Sequence, residues 1–262
     1  MGDFVKQRAG APRGFFAAEA AGLEWLAARG VVPVVGVRGV DEDSLRLTRL
    51  ETISPNAGDA AEFGRRLARL HDSGAAAFGW APADKAWFGP LDSPFEVPVT
   101  ADSSFSDFWV RTRLAPTASA IAGELTIEEN SAITSAIEAI ESGAFDGIAG
   151  TGTEPPSRVH GDLWAGNLMW TPDGGTLIDP AAHGGHRLED LALLALFGTP
   201  FLEEIFSGYE AEHPLPRGWR ADLPAHSFFA LLAHVRLFGR GFLGQTLAAA
   251  RAVVDRRDEL DG

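Results

Sequence analysis

The 262-residue chain carries a formal net charge of −14, with hydrophobic residues at 45% and charged residues at 22%. That composition suits a globular protein with a substantial core, and the acidic excess argues against a broad nucleic-acid surface. The absence of cysteine excludes disulfides, thiolate nucleophiles and Cys-ligated zinc. No run approaches a membrane span and the start has no apolar leader, so a cytoplasmic protein without nucleic-acid or membrane partners is expected.

In chain order, FVK (Phe4–Lys6) reads as a short strand. FFAAEAAGLEWLAARG follows, with Phe16, Ala20, Leu23 and Ala27 at helical spacing and Gly30 as a stop. VVPVVGV and LRLTRLE are β-branched or alternating enough to be strands, joined through the acidic turn Asp41–Ser44. AAEFGRRLARLH then places Phe63, Leu67 and Leu70 on one helical face. A loop rich in Pro, Gly and Asp is expected from Asp72 to Asp102, and a helix over FSDFWVRTRL. Thr126 and Glu129 stand at capping-box spacing before Ile133, Ile137 and Ile140. RVH, NLMW and TLID read as strands, the last two joined by the turn TPDGG. LEDLALLALFG, FLEEIFSGYEAEH and the stretch from Pro224 to the end read as helical. The elements predict an α+β fold: a small mixed lobe over residues 1–52 and a larger helical lobe over 53–262.

HGDLWAGN, residues 160–167, carries the chemistry. A phosphoryl-transfer site holds the accepting hydroxyl in line and neutralises charge around the nucleotide phosphates. In protein kinases a catalytic-loop Asp takes the hydroxyl proton, an Asn five residues on binds Mg²⁺, and an Asp beyond a hairpin binds metal again. Here Asn167 follows Asp162 by five residues, and the NLMW-TPDGG-TLID hairpin ends at Asp179. His160 takes the kinase His position, with Gly161 where kinases have Arg. The bland alternative is a polar turn in which Asp162 and Asn167 only bond locally. In the first lobe Lys6 ends a strand and Glu19 lies in the next helix, the order of a kinase lysine and its helical glutamate. Thr48, Arg49 and Leu50 fall at the lobe connection, near the expected adenine edge.

At this level the chain resembles the fructosamine kinase family, relatives of aminoglycoside phosphotransferases within the bilobal protein-kinase-like fold. The matching stretches are FVK, FFAAEAAGLEWL, RLARLH, HGDLWAGN, LIDPAAHGGHR, DLALLALFG and LLAHVRLFG. The resemblance implies ATP- and Mg²⁺-dependent phosphorylation of the sugar C3 hydroxyl of a ketosamine, free or on a glycated protein lysine, leading to deglycation. It implies Asp162 as base, Asn167 and Asp179 as magnesium ligands, and Lys6 with Glu19 as the phosphate anchor. It further implies Trp164 beside the sugar, His234 at the acceptor pocket, and His160 and Asp190 as structural supports. His183 and His186 are expected in a structural turn, since HGGH lacks the spacing of a zinc helix.

Two departures from the family pattern stand out. The family has a glycine-rich hairpin before the strand lysine; here Lys6 stands almost at the start, so either the start is misassigned or an open phosphate site is expected. The family also reads GHRExDLA, whereas this chain has Leu188 at the Glu position. Glu189, one step on, faces another side of the helix, which speaks against a bracing role. An aminoglycoside or choline acceptor, and a non-catalytic nucleotide-binding pseudokinase, are the competing readings.

Overall fold

The computed structural model describes residues 2–262. Its first part is a three-stranded antiparallel sheet in the order β1-β3-β2, from β1 (Asp3–Gln7), β2 (Val37–Val40) and β3 (Ser44–Thr48). Helix α1 (Phe15–Ala27) lays Phe15, Phe16, Ala20 and Leu23 on Leu45 and Leu47 of this sheet and on Val35 just before it. The expected strand over VVPVVGV is displaced: β2 begins only at Val37. Pro33 has no N–H to give a sheet neighbour. Its carbonyl accepts from Leu177 N (2.9 Å) while Val35 N donates to Leu177 O (3.0 Å), so this stretch ties the small sheet to the larger part.

The second part begins with α2 (Ala57–Asp72), whose N-cap Asn56 accepts from Gly58 N and Asp59 N. The segment from Asp72 to Asp102 is not wholly loop. It holds a hairpin of β4 (Ala86–Phe88) and β5 (Phe95–Val97), with Trp87 opposite Glu96. Strands of three residues are too short for alternation to register in the sequence. The hairpin reaches the small sheet: Arg8 Nη1 donates to Leu91 O (2.7 Å), and Trp87 packs edge-on against Phe15.

FSDFWVRTRL is helical throughout, as α3 (Phe105–Trp109) continued by one π turn into α4 (Ala115–Ile121). Helix α5 (Ile127–Glu141) starts with the expected capping box, Thr126 Oγ1 accepting from Glu129 N and Glu129 Oε2 from Thr126 N. Four short strands follow: β6 (Ser157–Val159), β7 (Leu168–Thr171), β8 (Gly174–Leu177) and β9 (His183–Gly185). β6 pairs with β9 and β7 with β8. HGGH is therefore largely strand, where a turn was expected.

The remaining helices are α6 (Leu188–Leu196), α7 (Leu202–Glu212), α8 (Leu223–Phe238) and α9 (Leu243–Asp261). The C-terminal stretch read as one helical region turns at Gly239, whose φ of 77° lies in the left-handed region. Two cores hold this part together. One gathers Phe105, Phe108, Ile133, Ile140 and Phe228; the other gathers Phe63, Leu67, Leu168, Leu191 and Tyr209 beneath the short strands. The fold is α+β, with small antiparallel sheets and a mainly helical C-terminal part.

Candidate active site

The pairing of β6 with β9 delivers the chain into the Gly161–Asn167 loop. Gly161 has φ +80°, and a Cβ there would strike the Ala181 carbonyl and come within 2.8 Å of His183 Nδ1. No side chain fits, which explains glycine where protein kinases carry arginine. Asp190, in the first turn of α6, accepts from His160 N (2.8 Å) and Gly161 N (2.9 Å). The same carboxylate accepts from His71 Nε2 at 3.0 Å, and His71 Nδ1 meets the Tyr209 hydroxyl at 2.8 Å. Burial alone would raise the Asp190 pKa, but His71 and the loop amide hold it below the usual carboxylate range. Burial lowers the His71 pKa, with Asp190 opposing it. His160 adds a second brace: Nε2 donates to Ile178 O (2.8 Å), so bare Nδ1 accepts from Asp162 N (3.3 Å).

Asn167 closes the loop, its Nδ2 donating to Asp162 O (2.8 Å) and Asp162 Oδ2 (3.0 Å). Burial pushes the Asp162 carboxyl up to about 8; the Asn167 hydrogen bond opposes this, while Asp179 and Asp190 add to it. Asp179 follows β8 with φ 54°, a left-handed conformation costly for most residues and typical of functional turns. Its Oδ1 lies 3.1 Å from Lys6 Nζ, and Lys6 Nζ also lies 2.8 Å from each carboxylate oxygen of Glu19. Burial would lower the lysine pKa, yet the two carboxylates outweigh it and keep the ammonium charged. Lys6 thus joins β1, α1 and the end of β8. Trp164 lies over Gly166, where a Cβ would run into the indole, and is 41% exposed.

A cavity of about 890 Å³ opens here. Lys6, Glu19, Asp162, Trp164, Asn167, Asp179 and His234 all line it. His160 and Asp190 sit behind it, buried. Thr48, Arg49 and Leu50 do not border it: Thr48 Oγ1 donates to Gly36 O and Arg49 Nη2 to Asp3 O, at the end of β3.

Several contributors escaped the sequence reading. The β4–β5 hairpin supplies a wall through Lys85, Trp87 and Phe88, and Phe197, Phe238 and Phe242 supply the far end. His71 was the legible one, a lone histidine closing an apolar helical face. Glu189 braces after all: it accepts from His186 N (2.6 Å) and His183 Nε2 (3.1 Å). The helix turn that carries Asp190 to the loop brings Glu189 under β9, while Leu188 fills the core.

The donor set suits magnesium. Asn167 spends its amide N–H groups on Asp162, leaving its oxygen for a cation beside the partly exposed Asp179 carboxylate. Hard oxygen donors of this kind hold Mg²⁺ together with substrate phosphates. His183 is engaged by Ala181 O and Glu189, and His186 is fully buried, its Nδ1 accepting from Leu188 N (3.2 Å) and its ring stacked on His226.

The family model for fructosamine kinase matches residues 3–256. The chain belongs to the fructosamine kinase family. The "Probable ketoamine kinase" of Thermus thermophilus is 32% identical over 248 residues, covering 95% of this chain and 86% of that protein. The Escherichia coli "Probable ketoamine kinase YniA" is 34% identical over 251 residues, covering 92% and 80%. Among solved structures, a "putative fructosamine-3-kinase" from Thermobifida fusca superposes with TM-score 0.87 at 37% identity, covering 97% of this chain and 85% of that one. A choline/ethanolamine kinase family protein from Mesorhizobium loti, at TM-score 0.61 and 16% identity, shares the fold. The fold of this family member is protein-kinase-like.

Proposed function

We propose that this fructosamine kinase family member transfers the γ-phosphoryl group of ATP to the C3 hydroxyl of a ketosamine. The observation carrying this reading is the convergence of Lys6, Asp162, Asn167 and Asp179 on one cavity that Trp164 also lines. Asp162 takes the proton of the hydroxyl as its oxygen bonds to the γ-phosphorus, and the bond to the β-phosphate oxygen breaks to release ADP. A buried carboxyl with raised proton affinity suits that role, since a base works best with a pKa near the operating pH. Lys6, fixed by Glu19, meets the α and β phosphates. Asn167 and Asp179 would hold magnesium, which would neutralise charge on the transferred phosphate. The Trp164 indole offers a flat apolar wall to the sugar. The 3-phosphate then decomposes and frees the amine, completing deglycation. Residues 1–52 form the nucleotide-covering lobe and 53–262 the catalytic and acceptor lobe.

The test is a ³¹P assay with Mg-ATP against fructosyl-lysine, ribulosyl-lysine and an aminoglycoside, on the native chain and Asp162→Asn. A new phosphomonoester on a ketosamine, lost in Asp162→Asn while ATP still binds, is the expected result. Turnover of the aminoglycoside alone would overturn the acceptor assignment, and unchanged turnover in Asp162→Asn the base.

A further inference from the structure

The cavity is chemically lopsided. From Trp164, two residues beyond Asp162, a chain of rings leads away from the reacting centre: Trp164 to Phe197 at 6.3 Å, and Phe197 to His234 at 4.9 Å. His234 then meets Phe242 at 4.9 Å and Phe238 at 5.4 Å. All five line the cavity, and although Phe242 also packs against the helical core, Phe238 is 54% exposed and presents its ring to the opening. The rings at the far end are held in place. Gly239 turns the chain sharply after α8, and Arg240 clamps the corner by donating to Glu124 O (2.6 Å) and Glu129 Oε1 (2.7 Å).

Charge is equally one-sided. Among the described residues the wall carries two lysines and no arginine. Lys6 is engaged by Glu19, and Lys85 by Glu96 at 3.0 Å. A carboxylate at the ring-lined end would find no cation and would be desolvated against aromatic faces, which repel negative charge. His234 offers the opposite. Its Nδ1 lies 2.6 Å from Ala230 O, which can only accept, so Nδ1 carries the proton and Nε2 keeps its lone pair. That lone pair suits an N–H donor, and the surrounding ring faces attract an ammonium.

We propose that the end of the cavity formed by Phe197, His234, Phe238 and Phe242 seats the amine-side substituent of the acceptor. It selects substituents that are apolar or aromatic over those bearing a carboxylate. The assignment rests on the ketosamine reading above. With the sugar against Trp164 and its reacting hydroxyl at Asp162, the amine nitrogen is directed along the ring chain towards His234 Nε2. The substituent beyond it lies among Phe238 and Phe242.

Two measurements test this. Adducts of one ketose with benzylamine, propylamine and glycine are compared as substrates with Mg-ATP. The expected kcat/KM order is benzylamine, then propylamine, then glycine, with about tenfold or more between first and last. Phe238→Ala/Phe242→Ala should shrink that ratio to within about threefold, because the apolar contacts distinguishing the substituents are gone. Equal kcat/KM for the three adducts in the native chain, or a ratio untouched by the double substitution, would overturn the subsite. The second measurement needs no turnover: the His234 ring signals are followed by NMR while benzylamine or glycine is titrated. Benzylamine should shift them in the native chain and lose at least about tenfold in affinity in the double variant, with glycine silent. Equal responses to both amines would overturn the subsite. Failure of every adduct to turn over beside a benzylamine-selective response would instead overturn the ketosamine reading and leave the amine subsite standing.

Discussion

Asp190 holds Gly161 in place: one carboxylate oxygen accepts the Gly161 amide at 2.9 Å while the other accepts His160 N and His71 Nε2. The carboxylate is fully buried, so every donor it serves would otherwise lie unpaired away from water. Asp190→Ala should therefore cost about 3 kcal/mol or more in urea denaturation, since each orphaned buried donor costs roughly 1–3 kcal/mol. Asp190→Asn, which keeps one acceptor oxygen, should lose less. A loss below about 1 kcal/mol in Asp190→Ala would show that the loop finds other partners.

Gly161 itself permits a second test. With φ +80° and the Ala181 carbonyl where a Cβ would lie, Gly161→Ala strains the backbone and pushes the loop off β9. The expected result is a destabilisation of about 1–3 kcal/mol by thermal melting, with loss of turnover. An alanine variant with unaltered Tm and turnover would mean the loop relaxes freely.

Lys6 sits between Glu19 and Asp179, both within 3.1 Å. Lys6→Met should lower kcat by about 100-fold or more, the scale of removing one charge-stabilising group from a transition state. Glu19→Gln should lower it less, because Lys6 keeps its charge and Asp179 still attracts it. Steady-state kinetics decides; a greater loss in Glu19→Gln would make the pair chiefly structural.

Trp164 is exposed to the cavity and touches Phe197, so its ring is available to a ligand. Trp164→Ala should raise the ketosamine KM about tenfold or more while moving the ATP KM less than about twofold. Equal changes in both constants would mean that the indole merely packs the loop.

Acid should weaken the fold through His186 and His226, stacked on each other and packed against Phe105. Burial drives His226 down to about 3; burial, then His226, Arg187 and His71, holds His186 well below its usual value. The folded pKa values lie below the unfolded value of about 6.5, so the unfolded chain binds more protons between them. Stability is complete above about pH 6.5 and falls as pH drops towards 3, by up to about 1.4 kcal/mol per unit per histidine. Urea denaturation between pH 7 and 4 should show this slope, and His226→Phe should flatten it by one proton. An unchanged slope in that variant would place the acid sensitivity elsewhere.

Local order in the chain made much of this readable beforehand. The α5 capping box, the helical face of α2 and the β7–β8 hairpin depend on residues a few positions apart, whose spacing encodes the contact. The convergence of Asp162, Asn167 and Asp179 also followed from spacing, because one hairpin returns the chain to its start. The β4–β5 hairpin was hidden because three-residue strands carry no period. The start of β2 was misplaced because Pro33–Val35 spends its hydrogen bonds on Leu177, far along the chain.

By itself, the order of residues determined the element types, the catalytic-loop constellation and family membership, since each rests on short-range spacing or on a pattern spread along the chain. Tertiary structure alone decided that Glu189 lies under β9, that His71 supports Asp190, and that Phe197, Phe238 and Phe242 end the cavity. Those contacts join residues from 6 to 119 positions apart or bring separate helices to one wall. Side-chain packing in three dimensions sets such meetings, and no periodicity in one dimension records it.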